Sequence, residues 1–293
     1  MSVKTRAEIA SQPQMWQLAV QCATDVAGLP AAGERVAVIG CGTSWFIAQA
    51  YAHLRERAGA GLTDAYTATE AFLGRDYDRV VLLSRSGTTT EIAEIAASAQ
   101  VPTTLVTAVA GGPAAPYVEH EVVLDFADEE SVVQTRFATS ALAMFRESVA
   151  PGSVEQAVVD AERALDLELD PAWVSAEQIT FLGTGWTIGL ASEAALNLRE
   201  AAQSWTEAYP AMEYRHGPMA IAEPGRLVWV FGPVPEGLAE QVAATGALLV
   251  QSGLDPMAHL VLSQRLAVAR AEARGLDADE PRSLTRSVIL ENG

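Results

Sequence analysis

Cysteine, lysine and long apolar runs are all scarce in this chain, and each scarcity removes a class of protein. Cys22 and Cys41 are the only cysteines. Two thiols are too few for a disulfide framework, and they lack the Cys/His spacing of a zinc site. Nearly half of the 293 residues are apolar (49%), yet no uninterrupted stretch approaches the roughly 20 residues of a bilayer-crossing helix. No N-terminal segment has the order of a secretory signal. These features predict a soluble, cytoplasmic protein without a membrane partner. Lys4 is the only lysine, and 19 Lys plus Arg stand against 37 Asp plus Glu, for a formal net charge of −18. Such a chain repels polyanions and has no basic stripe to release counterions, which excludes nucleic acid as a partner. A small phosphate ester is still admissible, because a few backbone N–H groups at a helix N-terminus bind it locally whatever the global charge.

The length fits two lobes of about 100–150 residues each. Arg35–Gly40 (RVAVIG), Arg79–Ser84 (RVVLLS), Pro102–Thr107 (PTTLVT) and Glu121–Asp125 (EVVLD) read as short strands. Between and after them, Ser44–Arg57, Thr89–Gln100 and Gln134–Val149 carry apolar residues at helical intervals. This alternation predicts an α/β fold with a doubly wound parallel sheet flanked by helices, a three-layer α/β/α arrangement. Pro151–Gly152 punctuates the chain, giving expected domains of 1–152 and 153–293. After a helical connector near Val154–Leu169 the pattern restarts. Strand Gln178–Leu182, a helix from about Ile188, strand Arg226–Phe231, a helix from Leu238 and a strand at His259–Leu262 are expected. Gly40-Cys41-Gly42-Thr43 and Gly183-Thr184-Gly185-Trp186 sit at matching places, each after a strand and before a helix, as an internal duplication would leave them.

Two turns carry chemistry. In Gly40-Cys41-Gly42-Thr43-Ser44 the glycines permit a tight turn, leaving N–H groups and two hydroxyls at a helix mouth. A dinucleotide fingerprint would need a third glycine where Trp45 stands, and lacks its acidic ribose partner. Ser84-Arg85-Ser86-Gly87-Thr88-Thr89-Thr90-Glu91 packs five hydroxyl side chains into a turn at a strand's C-terminal end, where open α/β sheets bind ligands. Turn and N-cap preference accounts for two of the five. The rest suit a phosphate dianion, which the positive end of the following helix also stabilises.

The segment Ser84–Glu91 (SRSGTTTE), preceded by Gly40–Ser44 (GCGTS), resembles the sugar isomerase (SIS) domain. In particular the chain resembles the tandem-SIS isomerase half of glutamine:fructose-6-phosphate aminotransferases and their free-standing deglycase and deaminase relatives. Further matching segments are Glu129–Phe137, Leu196–Pro218 and Asp277–Val288. The resemblance implies two SIS domains. Cys41, Gly42, Thr43, Ser44, Ser84, Ser86 and Thr89 would bind the sugar phosphate, with Arg85 and Val132 beside it. It also implies Glu200 and His216 as the catalytic pair, since their separation of 16 residues matches the family's Glu and His. Glu200 would carry a proton between C1 and C2, and His216 would handle proton transfer at O5 during ring opening. In relatives this histidine comes from a partner subunit, which implies a homodimer. Outside the motif, Glu200 would read as a solvated helix residue and His216 as a loop histidine.

One departure bears on mechanism. Where the synthase-type tail carries an imine-forming lysine, this chain has Arg286. A guanidinium stays protonated and forms no imine, so Arg286 is expected to bind phosphate or a sugar hydroxyl. The glutaminase domain of the synthases is also expected to be absent. The chemistry that needs no enzyme lysine is deglycation of a ketosamine 6-phosphate, or deamination with isomerisation of an amino-sugar 6-phosphate. Neither implies a metal or organic cofactor. An aldose–ketose phosphosugar isomerase and a non-catalytic sugar-phosphate sensor stay open as alternatives; the sensor would need the hydroxyl turn but not Glu200 and His216.

Overall fold

Runs rich in Val, Ile and Leu form the central strands of two parallel sheets in the computed structural model, which describes residues 2–290. In chain order the elements are α1 (Val3–Asp25), β1 (Val36–Gly40), α2 (Thr43–Arg57), β2 (Thr63–Thr67), β3 (Arg79–Leu83), α3 (Thr90–Ser98), β4 (Thr103–Thr107), β5 (His120–Val123), α4 (Arg136–Val149), α5 (Glu155–Asp166), α6 (Pro171–Ser175), β6 (Gln178–Gly183), α7 (Thr187–Ala202), β7 (Trp205–Pro210), β8 (Arg226–Val230), α8 (Leu238–Thr245), β9 (Leu248–Val250) and α9 (Pro256–Ala273). Among the described residues no helix is long and apolar enough to cross a membrane.

Two compact units result, interleaved along the chain. The first holds Gln14–Glu129, Arg136–Val154 and the tail from Thr285; the second holds the segment up to Pro13, Glu130–Thr135 and Glu155–Leu284. The first unit's sheet runs β2-β1-β3-β4-β5 and the second's β7-β6-β8-β9, with every pairing parallel. Strands β1 and β6 are buried at every residue, as expected for strands covered on both faces by helices. Ile39, Leu82, Leu105 and Ile92 pack in one core of the first unit. Leu182, Val228, Val230, Leu238 and Val242 do so in the second. The expected α/β class is borne out.

One expected strand is a helix. His259–Leu262 lies inside the 18-residue α9. Its apolar run fits a buried strand or a buried helix equally by pattern. The local start signal decides, since Asp255 caps the helix by accepting from the Met257 N–H at 2.9 Å and Pro256 occupies the first turn. The last strand is instead the three-residue β9. Besides β9, two strands escaped the sequence reading, β2 (TDAYT) and β7 (WTEAYP), and they are counterparts. Each lies at the edge of its sheet beside the first strand of its unit, where half-exposure permits a polar, unpatterned sequence.

Candidate active site

In the first unit β2 pairs on one side of β1 and β3 on the other. The chain therefore leaves β1 and β3 in opposite directions and opens a crevice beyond their C-terminal ends. Gly40 stands opposite Leu83 in the register, so the two chemically loaded turns emerge side by side. Only glycine fits at 40, because a Cβ there would come within 2.5 Å of the Ser44 backbone. The Ser44 N–H donates to Cys41 O at 3.1 Å and the Trp45 N–H to Gly42 O at 3.0 Å, closing the turn. Thr43 and Ser44 are buried at the start of α2. Cys41 is half-buried, and burial pushes its thiol above the usual range.

The β3–α3 turn brings together the hydroxyls that the sequence singles out. Ser84, Arg85 and Ser86 are buried, and Ser84 Oγ lies 3.5 Å from Thr89 Oγ1. Thr89 is the N-cap of α3, yet its side chain makes no capping hydrogen bond. A residue serving only as a cap would turn its oxygen to the helix; Thr89 faces Ser84 instead. Beside the turn, the guanidinium of Arg85 and the carboxylate of Glu129 form a buried ion pair at 3.5 Å. Glu129 also accepts from the Arg136 N–H at 2.8 Å. Glu129 was not among the expected site residues; its signal was a carboxylate inside a matching segment.

The tail from Thr285 lies on this turn. Ser287 Oγ accepts from Ser86 Oγ at 3.1 Å and from Thr88 Oγ1 at 2.9 Å. The Thr90 N–H, at the positive end of α3, donates to Val288 O at 3.2 Å. Hydroxyls and a helix N–H suited to phosphate thus hold the chain's own Ser287 and Val288. Arg286 turns away from the hydroxyls. Its guanidinium engages the Asp128 carboxylate and the Glu129 carbonyl, while Arg85 donates to Arg286 O at 3.0 Å. In this form Arg286 anchors the tail. Ser287 was the member of this arrangement that sequence reasoning missed, having fixed on the neighbouring arginine.

The second unit contains the other expected residues. Val132 belongs to its segment Glu130–Thr135. Glu200 sits in the last turn of α7 and lines a cavity of about 380 Å³ with Arg199, Gln203, Ser204 and Arg282–Leu284. His216 ends a short 3-10 turn, is exposed, and is not among the residues lining that cavity. Lys4, the only lysine, pairs with Glu130 at 3.2 Å on the surface. His259 is buried and stacks on Trp229 with ring centroids 4.6 Å apart, and burial pushes its pKa down to about 3. At the turn corresponding to Gly40–Ser44, Thr187 Oγ1 accepts from the Thr184 N–H at 2.8 Å and donates to Phe231 O at 3.0 Å. That turn satisfies itself.

No protein-family model matches the chain. A glutamine–fructose-6-phosphate aminotransferase (isomerizing) from Xylella fastidiosa is 29% identical over 97% of this chain and 58% of that protein. The chain thus spans little more than half the length of that relative. Among solved structures, a glucosamine-6-phosphate deaminase from Thermotoga maritima superposes with a TM-score of 0.83 at 25% identity, covering 98% of this chain and 100% of that one. The C-terminal domain of glucosamine-fructose-6-phosphate aminotransferase from Francisella tularensis shares the fold, with a TM-score of 0.78 at 20% identity over 94% of this chain and 96% of that one. Nearly the whole chain is thus similar to a part of these aminotransferases. Its homologues and structural neighbours are phosphosugar isomerases and deaminases.

Proposed function

We propose that this protein is a phosphosugar-processing enzyme that moves a proton between C1 and C2 of a ketosamine 6-phosphate or amino-sugar 6-phosphate, as a deglycase or a deaminase. The observation that carries the reading is the Ser84–Thr89 turn. Its buried hydroxyls gather at the crevice of an open parallel sheet, and the Thr89 hydroxyl forgoes its helix cap to face Ser84. The turn at Gly40–Ser44 opens beside it. We assign the phosphate to Ser84, Ser86 and Thr89, with Cys41–Ser44 at the sugar. Phosphate then replaces Ser287 and Val288 on their shared donors, which adds charge where the end of α3 favours it.

Glu200 is the proposed base. A ketosamine already carries nitrogen on C1, so removing a C1 proton gives an enolamine, and returning it at C2 gives an imine between C1 and the amine. Water adds to that imine and expels the amine, leaving an aldose 6-phosphate. No enzyme lysine enters this sequence, in keeping with Arg286 in the tail and Lys4 paired on the surface. His216 is proposed to open the sugar ring as a residue shared across a homodimer; its exposure, outside the Glu200 cavity, suits that role.

We read the chain as two SIS repeats. The strand orders match through four strands. Gly183 also repeats the constraint at Gly40, because a Cβ there would come within 2.3 Å of the Thr187 backbone. Mixing Glu200→Gln and His216→Ala subunits tests the shared site. Two inactive homodimers should regain activity as a heterodimer that contains one intact site. No recovery in a verified heterodimer would remove His216 from its role across the interface.

A further inference from the structure

His216 stands on a slight support for a group whose task is proton transfer. It ends the four-residue 3-10 turn Glu213–His216 and is exposed. Gly217 follows at φ 132°, and then a second 3-10 turn, Pro218–Ile221. Such turns have poorer hydrogen-bond geometry than an α-helix, and the bond from the Arg215 N–H to Met212 O is 3.3 Å long. Two side chains reinforce the turn. Tyr214 is buried and packs in the second unit's core with Leu238 and Val242. Arg215, the residue next to His216, reaches across to α8.

The Arg215 guanidinium uses all three of its nitrogens. Nε donates to Gln241 Oε1 at 2.6 Å, Nη1 contacts Met212 Sδ at 3.0 Å, and Nη2 donates to Glu236 O. Gln241 lies in α8 and Glu236 just before it, so the arginine joins the His216 turn to that helix at two points. Every acceptor is neutral, and Arg215 forms no ion pair among the described residues. Stabilising α8 does not account for the arrangement, because the N-terminal end of a helix disfavours a cation. Fixing a plane does. Three contacts in different directions to a rigid fork leave the chain just before His216 little freedom.

We propose that Arg215 is the positioning residue of His216, holding its turn on α8 so that the imidazole is presented in one place. This rests on the role in ring opening proposed above for His216. Arg215 touches no reacting atom and acts through the neighbouring histidine. Its loss then leaves a misplaced acid–base group, and a displacement of about 1 Å costs about 10²-fold in rate.

The test is a double-variant cycle on the purified full chain, with kcat measured on glucosamine 6-phosphate or a ketosamine 6-phosphate, whichever the wild type turns over. Arg215→Met should lower kcat by about 10- to 100-fold. KM and the affinity for a hexose 6-phosphate should stay within about twofold of wild type, the pattern of a group needed for chemistry and not for binding. In a His216→Ala background the same change should lower kcat no further, because the residue it acts through is gone. Gln241→Leu removes a single contact from the α8 side and should lower kcat by about 3- to 10-fold; the same cycle run with it decides the question if Arg215→Met fails to fold. Wild-type kcat in Arg215→Met, a rise in KM with kcat unchanged, or a further drop in the His216→Ala background would overturn the positioning role while leaving His216 in place. Full activity of His216→Ala alone would instead sink the reading of His216, and the role of Arg215 with it.

Discussion

The two units place a glycine turn at the same point of the same strand order, and they use it differently. After β1 the turn ends in Thr43 and Ser44 beside the Ser84–Thr89 hydroxyls, whose partners include a tail residue, Ser287. After β6 the counterpart hydroxyl of Thr187 is spent on Thr184 and Phe231 of its own unit. The difference lies in where side-chain oxygens find partners. A turn whose hydroxyls bond to fixed backbone is structural; one whose hydroxyls bond to each other and to a tail can exchange those partners for a ligand.

The largest effect that would sharpen this contrast is at Arg85, whose charge is buried against Glu129 in the β3–α3 turn of the first unit. Arg85→Met strands a buried carboxylate and should cost about 3–5 kcal/mol of stability, read by denaturant unfolding. A loss below about 1 kcal/mol would show that the pair is not buried in solution. Next, Ser86→Ala combined with Thr89→Val should weaken hexose 6-phosphate binding by about 10- to 100-fold in calorimetric titration. Thr187→Val should leave that affinity alone and cost about 1–3 kcal/mol of stability. Equal effects of the two changes on affinity would erase the distinction between the turns.

Gly40→Ala and Gly183→Ala should destabilise by similar amounts, about 1–3 kcal/mol, because an added Cβ meets the backbone four residues on in both units. Thermal unfolding of the two variants checks it; a neutral effect at either position would break the structural equivalence. The effect that is smallest at neutral pH, and grows only in acid, is confined to the second unit. The folded pKa of His259 lies below its ordinary value of 6.5, at about 3. The unfolded chain therefore binds a proton that the folded one refuses, and stability falls as the pH drops from 6.5 towards 3. The slope reaches about 1.4 kcal/mol per pH unit. In His259→Phe that part of the slope should disappear.

Much of this was legible in the residues. Continuous apolar runs marked the inner strands because both of their faces are covered, and five hydroxyls in one stretch marked the turn proposed for phosphate before any geometry. What the chain hid has physical causes. Strands β2 and β7 are half-exposed edges with no apolar pattern to read. The run at His259–Leu262 fits strand and helix alike until Asp255 and Pro256 are weighed as a helix start. Ser287 and Glu129 act through contacts between segments distant in sequence, Ser86 with Ser287 and Arg85 with Glu129, which no local spacing announces. Arg286 drew attention as a substituted lysine, whereas its observed partners are Asp128 and the Glu129 carbonyl.

The most direct test of the central claim is mass-spectrometric turnover of purified protein on ketosamine 6-phosphates and glucosamine 6-phosphate, with Glu200→Gln as the control. The proposal requires free amine or ammonia to be released with the matching sugar phosphate, and kcat to fall by about 10²- to 10⁴-fold in the variant. Saturable binding of a hexose 6-phosphate without turnover of any of these compounds would contradict it, and would leave the aldose–ketose isomerase and the sugar-phosphate sensor as the readings.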